Sequence, residues 1–261
     1  MIYTYGDEYG GVELIDSWGN DKRAAHAARV SFAKDGRDSE ITPNDIRLLR
    51  FMIKEGHTSP FEHSGLTVAI TCPLFVRGHI MRHRTFSFNE VSRRYTSESI
   101  RIYVPEELRE QSKKNLQCSL KDTHILNEEY AINLVKESSD NALTVYNYLL
   151  KRGASREQAR GVLPQNTYTS FWMTGNLHNW YKFLKLRLHG STQPETQLIA
   201  KAILDIIEDK FPITTMLISE ETNVLPLNVK GPSLDSSQQP TVDLELEEDK
   251  LNSLDASNKE D

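Results

Sequence analysis

Four arginines and one glutamate lie within a single short segment of this chain, MRHRTFSFNEVSRRY at positions 81–95. The arginines are Arg82, Arg84, Arg93 and Arg94, and Glu90 is the one carboxylate among them. A guanidinium is planar, permanently charged and able to donate two parallel hydrogen bonds to a phosphate or a carboxylate. Arginines this close repel one another unless an anion is present, so the segment indicates an anion-binding site. The alternative is an ion-paired surface, for which Glu90 is the only local partner.

The charge distribution favours a focused anion site over a broad nucleic-acid surface. The chain has 261 residues and a formal net charge of −6. Residues 229–261 carry nine acids and three lysines, which account for all of that net charge. The remainder is neutral, whereas a nucleic-acid-binding domain presents a basic face. A nucleic-acid or nucleotide binder remains an alternative, because Phe86, Phe88 and Tyr95 could stack on bases.

Two histidines beside these arginines have the spacing of metal ligands. His79 and His83 are four residues apart on a predicted helix, as in zinc sites. Position 80, where the metalloprotease pattern requires glutamate, is isoleucine. Arg82 and Arg84 flank His83 and would repel a divalent cation. We therefore expect no metal and interpret the imidazoles as neighbours of an anionic ring.

The sequence contains no clear nucleophile. Cys72 lies in an apolar stretch predicted to be a buried strand, and Cys118 lies in a polar stretch without an activating group. No Ser–His–Asp elbow, phosphate-binding P-loop or dinucleotide fingerprint is present. This pattern favours hydride or electron chemistry carried out by a bound cofactor.

The hydrophobic pattern predicts a helix-rich α+β fold that would position these residues. Strands are predicted over 12–18, 66–72 and 101–105, and helices over 20–32, 42–56, 73–84, 125–151, 155–164, 176–187 and 192–211. The order shows no βαβ alternation, so we predict a single domain with a small antiparallel sheet. Trp172, Trp180 and Phe183 are interpreted as core residues, and Arg77 as a solvent or subunit contact.

Composition bounds the domain and its surroundings. Residues 1–228 are predicted to form the folded domain that carries the arginine segment, and the acidic segment 229–261 a disordered tail. Hydrophobic residues make up 38% and charged residues 26%, as in soluble globular proteins. There is no secretory signal, no apolar run long enough to span a membrane, and only two cysteines. We therefore expect a cytoplasmic protein with no membrane partner.

The arginine segment resembles the signature of flavin-dependent thymidylate synthases, RHR followed by S-x-N-E-x-S-x-R. It matches through Arg82-His83-Arg84, Ser87, Asn89-Glu90, Ser92 and Arg94. Further segments that are similar to the family, in family order, are AARVSF at 27–32, GHTSPFEH at 56–63, AR-x-VLP at 159–164 and N-x-x-x-x-x-FL-x-LR at 176–187. The resemblance spans roughly residues 10–220.

The resemblance implies an enzyme that converts dUMP to dTMP by reductive methylation. Methylenetetrahydrofolate would supply the carbon, reduced FAD the hydride, and NADPH the electrons that reduce the flavin. No protein nucleophile would attack the uracil ring. The implied fold is the α+β fold of this family, and the implied assembly is a homotetramer with active sites between subunits and no nucleic-acid partner.

The resemblance also implies roles for individual residues. The implied FAD contacts are Ser31, His57, Ser59, Arg82, His83, Arg84, Glu90, Asn176 and His178. The implied dUMP contacts are His79, Arg82, Glu90, Val91, Ser92, Arg93, Arg94, Arg160 and Arg187. Arg187 is the implied catalytic residue, which would stabilise negative charge on the uracil ring. His79, His178 and Lys182 depart from residues that other members have, so a flavin binder without synthase activity is a third interpretation.

Overall fold

The computed structural model of the protein describes residues 1–31 and 40–222, without the side chains of residues 121, 122, 221 and 222. Phe32 and the predicted tail 229–261 lie outside the described residues. The strands are β1 (Ile2–Tyr3), β2 (Gly11–Trp18), β3 (Gly65–Pro73), β4 (Ser87–Glu90), β5 (Arg109–Gln111), β6 (Ser119–His124) and β7 (Tyr168–Asn176). The α-helices are α1 (Asp21–Val30), α2 (Pro43–Lys54), α3 (Leu74–Ile80), α4 (Glu128–Lys151), α5 (Arg156–Ala159), α6 (Leu177–Arg187), α7 (Pro194–Lys210) and α8 (Pro212–Thr222). Two 3-10 helices cover Ser59–His63 and Arg160–Val162. None of the described helices has the length and apolar character needed to cross a membrane.

Five of the strands form one antiparallel sheet in the order β1-β2-β3-β7-β4. The central strands β3 and β7 pair along their whole length, from Gly65 opposite Asn176 to Pro73 opposite Tyr168. β4 is an edge strand against β7, and β5 and β6 form a separate two-stranded sheet. The predicted α+β class with a small antiparallel sheet is confirmed.

One face of the five-stranded sheet carries the main core. Side chains that alternate along β3 and β7, such as Val68, Ile70 and Met173, are fully buried beneath α3, α6 and α7. Trp180 and Phe183 of α6 are buried in the same cluster, as predicted. Two-residue alternation along the strands accounts for this one-sided burial.

The opposite face of the sheet is more polar, and it corrects one prediction. Thr67 and Thr174 share a hydrogen bond of 2.9 Å across β3 and β7, and Thr71 and Ser170 share one of 2.8 Å. Trp172 lies on this face and is 54% exposed, so its assignment to the core is wrong. Its strand neighbours Phe171 and Met173 face the core, and strand alternation directs the indole outwards.

A second apolar cluster fixes the loop between α2 and β3. Asn20 caps the start of α1, and Thr42 caps the start of α2, where it forms a capping box with Asp45. Apolar side chains of α1, α2 and α8 enclose Phe61 of the first 3-10 helix. That 3-10 helix is joined to the start of α6 by a 2.7 Å hydrogen bond from the Leu177 N–H to the Ser64 carbonyl.

Several predicted boundaries differ from the structure. The strand predicted over 101–105 is wrong: pairing is limited to one bridge, between Ile102 and Thr167, and to flanking hydrogen bonds. Pro105 has no N–H with which to extend it. The helix predicted over 73–84 ends at Ile80, so the arginine segment begins in the turn after α3. The elements that were not predicted are β1, β4, β5, β6, β7 and α8.

Candidate active site

The two halves of the arginine segment lie at opposite ends of β4. Arg82-His83-Arg84 precede the strand, and Ser92-Arg93-Arg94 follow it. Ser87 pairs with Thr174 and Glu90 with Phe171, so β4 runs along β7 over these residues. Three strand steps separate Ser87 from Glu90 by about 10 Å. The segment therefore contributes to two separate places on the molecule.

At the end of β4 that follows Arg82-His83-Arg84, Arg187 contacts both His83 and His79. Its Nε donates to His83 Nε2 at 2.9 Å, and its Nη2 donates to the His79 carbonyl at 2.9 Å. Arg187 is the last residue of α6, whose start is tied to the same loop by Asn179 Nδ2 donating to the Thr85 carbonyl at 3.2 Å. α6 thus holds the arginine loop at both of the helix ends.

These contacts determine the state of His83. Because Arg187 Nε can only donate, His83 Nε2 must accept, and the imidazole proton sits on Nδ1. Burial, followed by the positive charges of Arg187 and Lys182, lowers the pKa of His83 to about 4. The ring is therefore neutral at physiological pH. The pKa of His79 is lowered too, first by burial and then by Arg187 and Arg82.

We expect His83 to make folding stability depend on pH in the acidic range. The folded-state pKa is about 4 against an ordinary 6.5, so between these values the unfolded chain binds a proton that the folded chain does not. Stability therefore falls as the pH decreases from 6.5 towards 4. In His83→Gln the amide oxygen can still accept from Arg187, and melting temperatures at pH 7.5 and pH 5 should differ less than in the wild type.

His57→Gln is the matched control for this measurement, since His57 is exposed. That variant should retain the wild-type dependence of the melting temperature on pH. An NMR titration in which the His83 imidazole took up its proton with a midpoint above pH 6 would contradict the expectation.

Other residues predicted to contact FAD lie on α1, on α6 and at the first 3-10 helix. Asn176 caps α6 by accepting from the Asn179 N–H at 2.9 Å, and His178 lies in the first turn of that helix. Ser59 begins the 3-10 helix that contacts α6, and His57 is exposed just before it. Ser31 caps the C-terminal end of α1, which packs against the same 3-10 helix.

Arg82 and Arg84 are both exposed in the loop before β4. Among the described side chains of residues 1–31 and 40–222, no carboxylate lies within salt-bridge distance of either guanidinium. Neither guanidinium is therefore neutralised by an acidic side chain in that part of the chain.

At the second end of β4 the structure forms a cavity of about 310 Å³. It is lined by Leu74, Arg77, Glu90, Val91, Ser92, Arg93, Arg160, Leu163, Thr167, Tyr168 and Thr169. Five of the residues predicted to bind substrate are therefore brought together from two distant segments. The three guanidiniums and one carboxylate of this lining have a formal charge of +2. Arg94 is not part of the lining and is exposed, with its guanidinium 5.4 Å from the centre of the Tyr95 ring.

Glu90 is held inside this cavity by two residues that sequence reasoning missed. Arg77 donates to Glu90 Oε2 from Nη2 at 2.6 Å and from Nε at 3.1 Å. Thr169 Oγ1 donates to Glu90 Oε1 at 2.8 Å. The interpretation of Arg77 as a solvent or subunit contact did not include this ion pair, although the Arg77 side chain is also 37% exposed. Nothing in the sequence signals either contact, because the three residues come from α3, β4 and the unpredicted β7.

Comparisons with known proteins identify the family to which the chain is similar. The family model described as "Thymidylate synthase complementing protein" matches residues 13–213. The flavin-dependent thymidylate synthase of Thermus thermophilus is 38% identical over 211 residues, covering 81% of this chain and 76% of that protein. The flavin-dependent thymidylate synthase of Thermosipho africanus is 37% identical over 214 residues, covering 82% of this chain and 92% of that protein.

A solved structure has the same fold. The UMP/dUMP methylase PolB from Streptomyces cacaoi, bound with 5-Br dUMP, superposes with a TM-score of 0.75 at 32% identity, covering 82% of this chain and 97% of PolB. The family model thus matches most of the chain, and the relatives are well above 30% identical over most of their own length. The chain belongs to the flavin-dependent thymidylate synthase family of enzymes.

Proposed function

We propose that this enzyme methylates dUMP to dTMP, with methylenetetrahydrofolate as carbon donor, FAD as the carrier of the hydride and NADPH as the reductant. The observation that carries the proposal is the cavity at the end of β4, where Glu90, Val91, Ser92, Arg93 and Arg160 meet. The names of the relatives, flavin-dependent thymidylate synthase and UMP/dUMP methylase, support the same reaction.

The cavity suits the phosphate of a nucleoside monophosphate. A phosphate monoester carries close to two negative charges at pH 7, and the lining has a formal charge of +2. Guanidinium groups form paired, charge-assisted hydrogen bonds to phosphate oxygens. Arg93 is already oriented, since it donates to the Glu98 carbonyl at 2.6 Å, and Ser92 offers a hydroxyl donor beside it. We therefore assign the dUMP phosphate to this cavity.

The residues around the start of α6 suit a flavin dinucleotide. Its diphosphate requires cationic donors, and Arg82 and Arg84 are exposed guanidiniums without an acidic partner in the part of the chain that the structure describes. His57, Ser59 and His178 lie on the elements that meet at the start of α6 and offer polar groups to the ring system. When bound, the flavin would supply the hydride that the methylation requires. Of the other predicted contacts, Glu90 lies at the opposite end of β4 from Arg82 and Arg84, and Ser31 caps the end of α1, which packs against the 3-10 helix that Ser59 begins.

Arg187 is proposed to act on the uracil ring. Two of its five N–H groups are used by His83 and His79, which leaves three for a ligand. Donors aimed at a uracil carbonyl stabilise negative charge on the ring and so raise the nucleophilicity of its C5 carbon. Because the guanidinium is fixed before substrate arrives, little reorganisation is needed in the transition state.

A covalent cysteine nucleophile has no place in this proposal. Cys72 is fully buried in β3, and burial raises the pKa of its thiol far above neutral. The Sγ of Cys118 is directed to the Ser191 carbonyl at 3.4 Å. Neither thiol lies among the residues that line the cavity at the end of β4.

We also propose a homotetramer with active sites between subunits. The two halves of the arginine segment lie about 10 Å apart along β4, and the flavin-side guanidiniums are exposed. Trp172 is a large aromatic side chain, 54% exposed, on the polar face of the sheet. A second copy that covered this face would bury Trp172 and bring its own residues next to the edge strand β4. Sedimentation or light scattering would measure the assembly directly.

The reaction is tested by two measurements on the purified protein. The protein should be yellow, with the two visible absorption bands of a flavin. It should also release tritium from 5-tritiated dUMP only when methylenetetrahydrofolate and NADPH are both present. A colourless protein that could not be reconstituted with FAD would contradict the proposal. Flavin content without tritium release would identify a binder that lacks synthase activity, and salt-sensitive oligonucleotide binding without dUMP affinity would identify a nucleic-acid binder.

A further inference from the structure

We infer that Arg77 is a positioning residue of the proposed dUMP site, which fixes the carboxylate of Glu90 and completes the positive charge of the cavity. The inference rests on the proposed function, because it concerns the same cavity. Arg77 lies outside the part of the chain that resembles the family signature, which begins at Arg82.

The contact between the two side chains is close and directional. Arg77 places both Nε and Nη2 on a single oxygen of Glu90, at 3.1 and 2.6 Å. Glu90 is 21% exposed, and Thr169, which holds the other oxygen at 2.8 Å, is 6% exposed. A freely exposed ion pair contributes little because water competes with both partners. This pair is instead partly enclosed and joined to a buried hydroxyl, so the carboxylate has one fixed orientation.

The two donors leave Glu90 with unused capacity on one side. A carboxylate has about four acceptor positions, two on each oxygen. Arg77 occupies Oε2 with two N–H groups, and Thr169 occupies Oε1 with one hydroxyl. One acceptor position therefore remains on Oε1, in a group that lines the cavity. Arg77 holds Oε2, and this fixes the orientation in which Oε1 presents its remaining acceptor position to a hydroxyl donor of the substrate.

Charge gives Arg77 a second effect on the site. Without Arg77 the lining would contain two guanidiniums and one carboxylate, and its formal charge would fall from +2 to +1. The Glu90 charge would then oppose the phosphate dianion without compensation. Arg77 neutralises Glu90, so that Arg93 and Arg160 remain available for the phosphate.

A double-mutant cycle on Arg77 and Glu90 tests the inference. We expect Arg77→Gln to weaken dUMP binding roughly tenfold, the usual effect of losing one charge-assisted contact. Glu90→Gln should also weaken dUMP binding. The double variant should bind dUMP no more weakly than whichever single variant binds it more weakly. Such non-additivity is the mark of residues that act through each other. The dissociation constants of dUMP and of inorganic phosphate would be measured by calorimetry on the full chain.

Arg50→Gln is the matched control, because it removes an exposed arginine–glutamate pair of 3.2 Å that joins α2 to α8. It should leave dUMP binding unchanged. If Arg77→Gln does not fold, Thr169→Val removes the second donor to Glu90 and should weaken dUMP binding by a smaller factor, again without effect in the Glu90→Gln background.

The outcomes separate the inference from the proposed function. Additive losses of dUMP affinity in the cycle would show that Arg77 and Glu90 act independently of each other, and wild-type affinity in Arg77→Gln would show that Arg77 has no role. Either result overturns the inference. Wild-type protein that bound phosphate but not dUMP would overturn the proposed substrate, and a non-additive cycle on phosphate would still support the positioning role of Arg77.

Discussion

Replacing Arg187 with alanine is expected to reduce dTMP formation by about a hundredfold or more, the usual effect of removing a donor that stabilises charge in a transition state. The guanidinium is half-buried, which lowers its pKa but leaves it cationic at neutral pH. Hydrogen bonds to His83 and to the His79 carbonyl fix the guanidinium and leave three of its N–H groups for a ligand. The substitution therefore removes a cation that is already oriented before the substrate binds. Initial rates of tritium release at saturating dUMP would measure the change.

The same variant should retain most of its bound flavin. The groups proposed to hold the flavin are Arg82, Arg84 and the polar residues at the start of α6. Arg187 contacts the arginine loop through His83 and the His79 carbonyl, so its loss leaves those flavin groups in place. Lys185→Ala is the control, because Lys185 is exposed on the same helix. Should Arg187→Ala keep more than a tenth of the wild-type rate, or lose its flavin together with its activity, the assignment of Arg187 to the uracil ring would be wrong.

Local signals made most of the helices predictable from sequence. Asn20 before α1, Thr42-Pro43 at α2 and Asn176 before α6 mark helix starts through side-chain caps and a proline suited to the first turn. The strand β7 was missed because neither a cap nor a hairpin turn marks it, and its pairing with β3 is nearly a hundred residues away in sequence. Trp172 was misjudged for the same reason, since its outward-facing side chain follows from its place in the unpredicted β7.

The sequence predicted which residues belong to the candidate site, but not the contacts that hold them in place. Glu90, Ser92, Arg93 and Arg160 were identified from the resemblance, and the structure places them around one cavity. Their supporting contacts could not be predicted, because Arg77 with Glu90 and Arg187 with His83 depend on how α3, β4 and α6 pack. Such pairs join segments up to 104 residues apart, and no local pattern encodes them.

Arg160→Ala should raise the KM for dUMP about thirtyfold to a hundredfold, which corresponds to about 2 to 3 kcal/mol for a charge-assisted contact to phosphate. Arg160 follows α5 directly and reaches the cavity from a segment far from Arg93, so it closes a side that the signature segment does not. The rate at saturating dUMP should change little, because the phosphate is remote from the reacting ring and binds equally in the ground and transition states.

Deoxyuridine distinguishes a lost phosphate contact from a general defect. Deoxyuridine lacks the phosphate, so its weak turnover should be the same in the wild type and in Arg160→Ala. The ratio of kcat/KM for dUMP to kcat/KM for deoxyuridine should therefore fall by the same factor by which the KM for dUMP rises. Arg156→Ala is the matched control, since Arg156 is exposed on the same short helical segment but does not line the cavity. A wild-type KM for dUMP in Arg160→Ala, or an equal loss of kcat/KM for dUMP and for deoxyuridine, would mean that the phosphate binds elsewhere. The cationic cavity would then be without its proposed ligand.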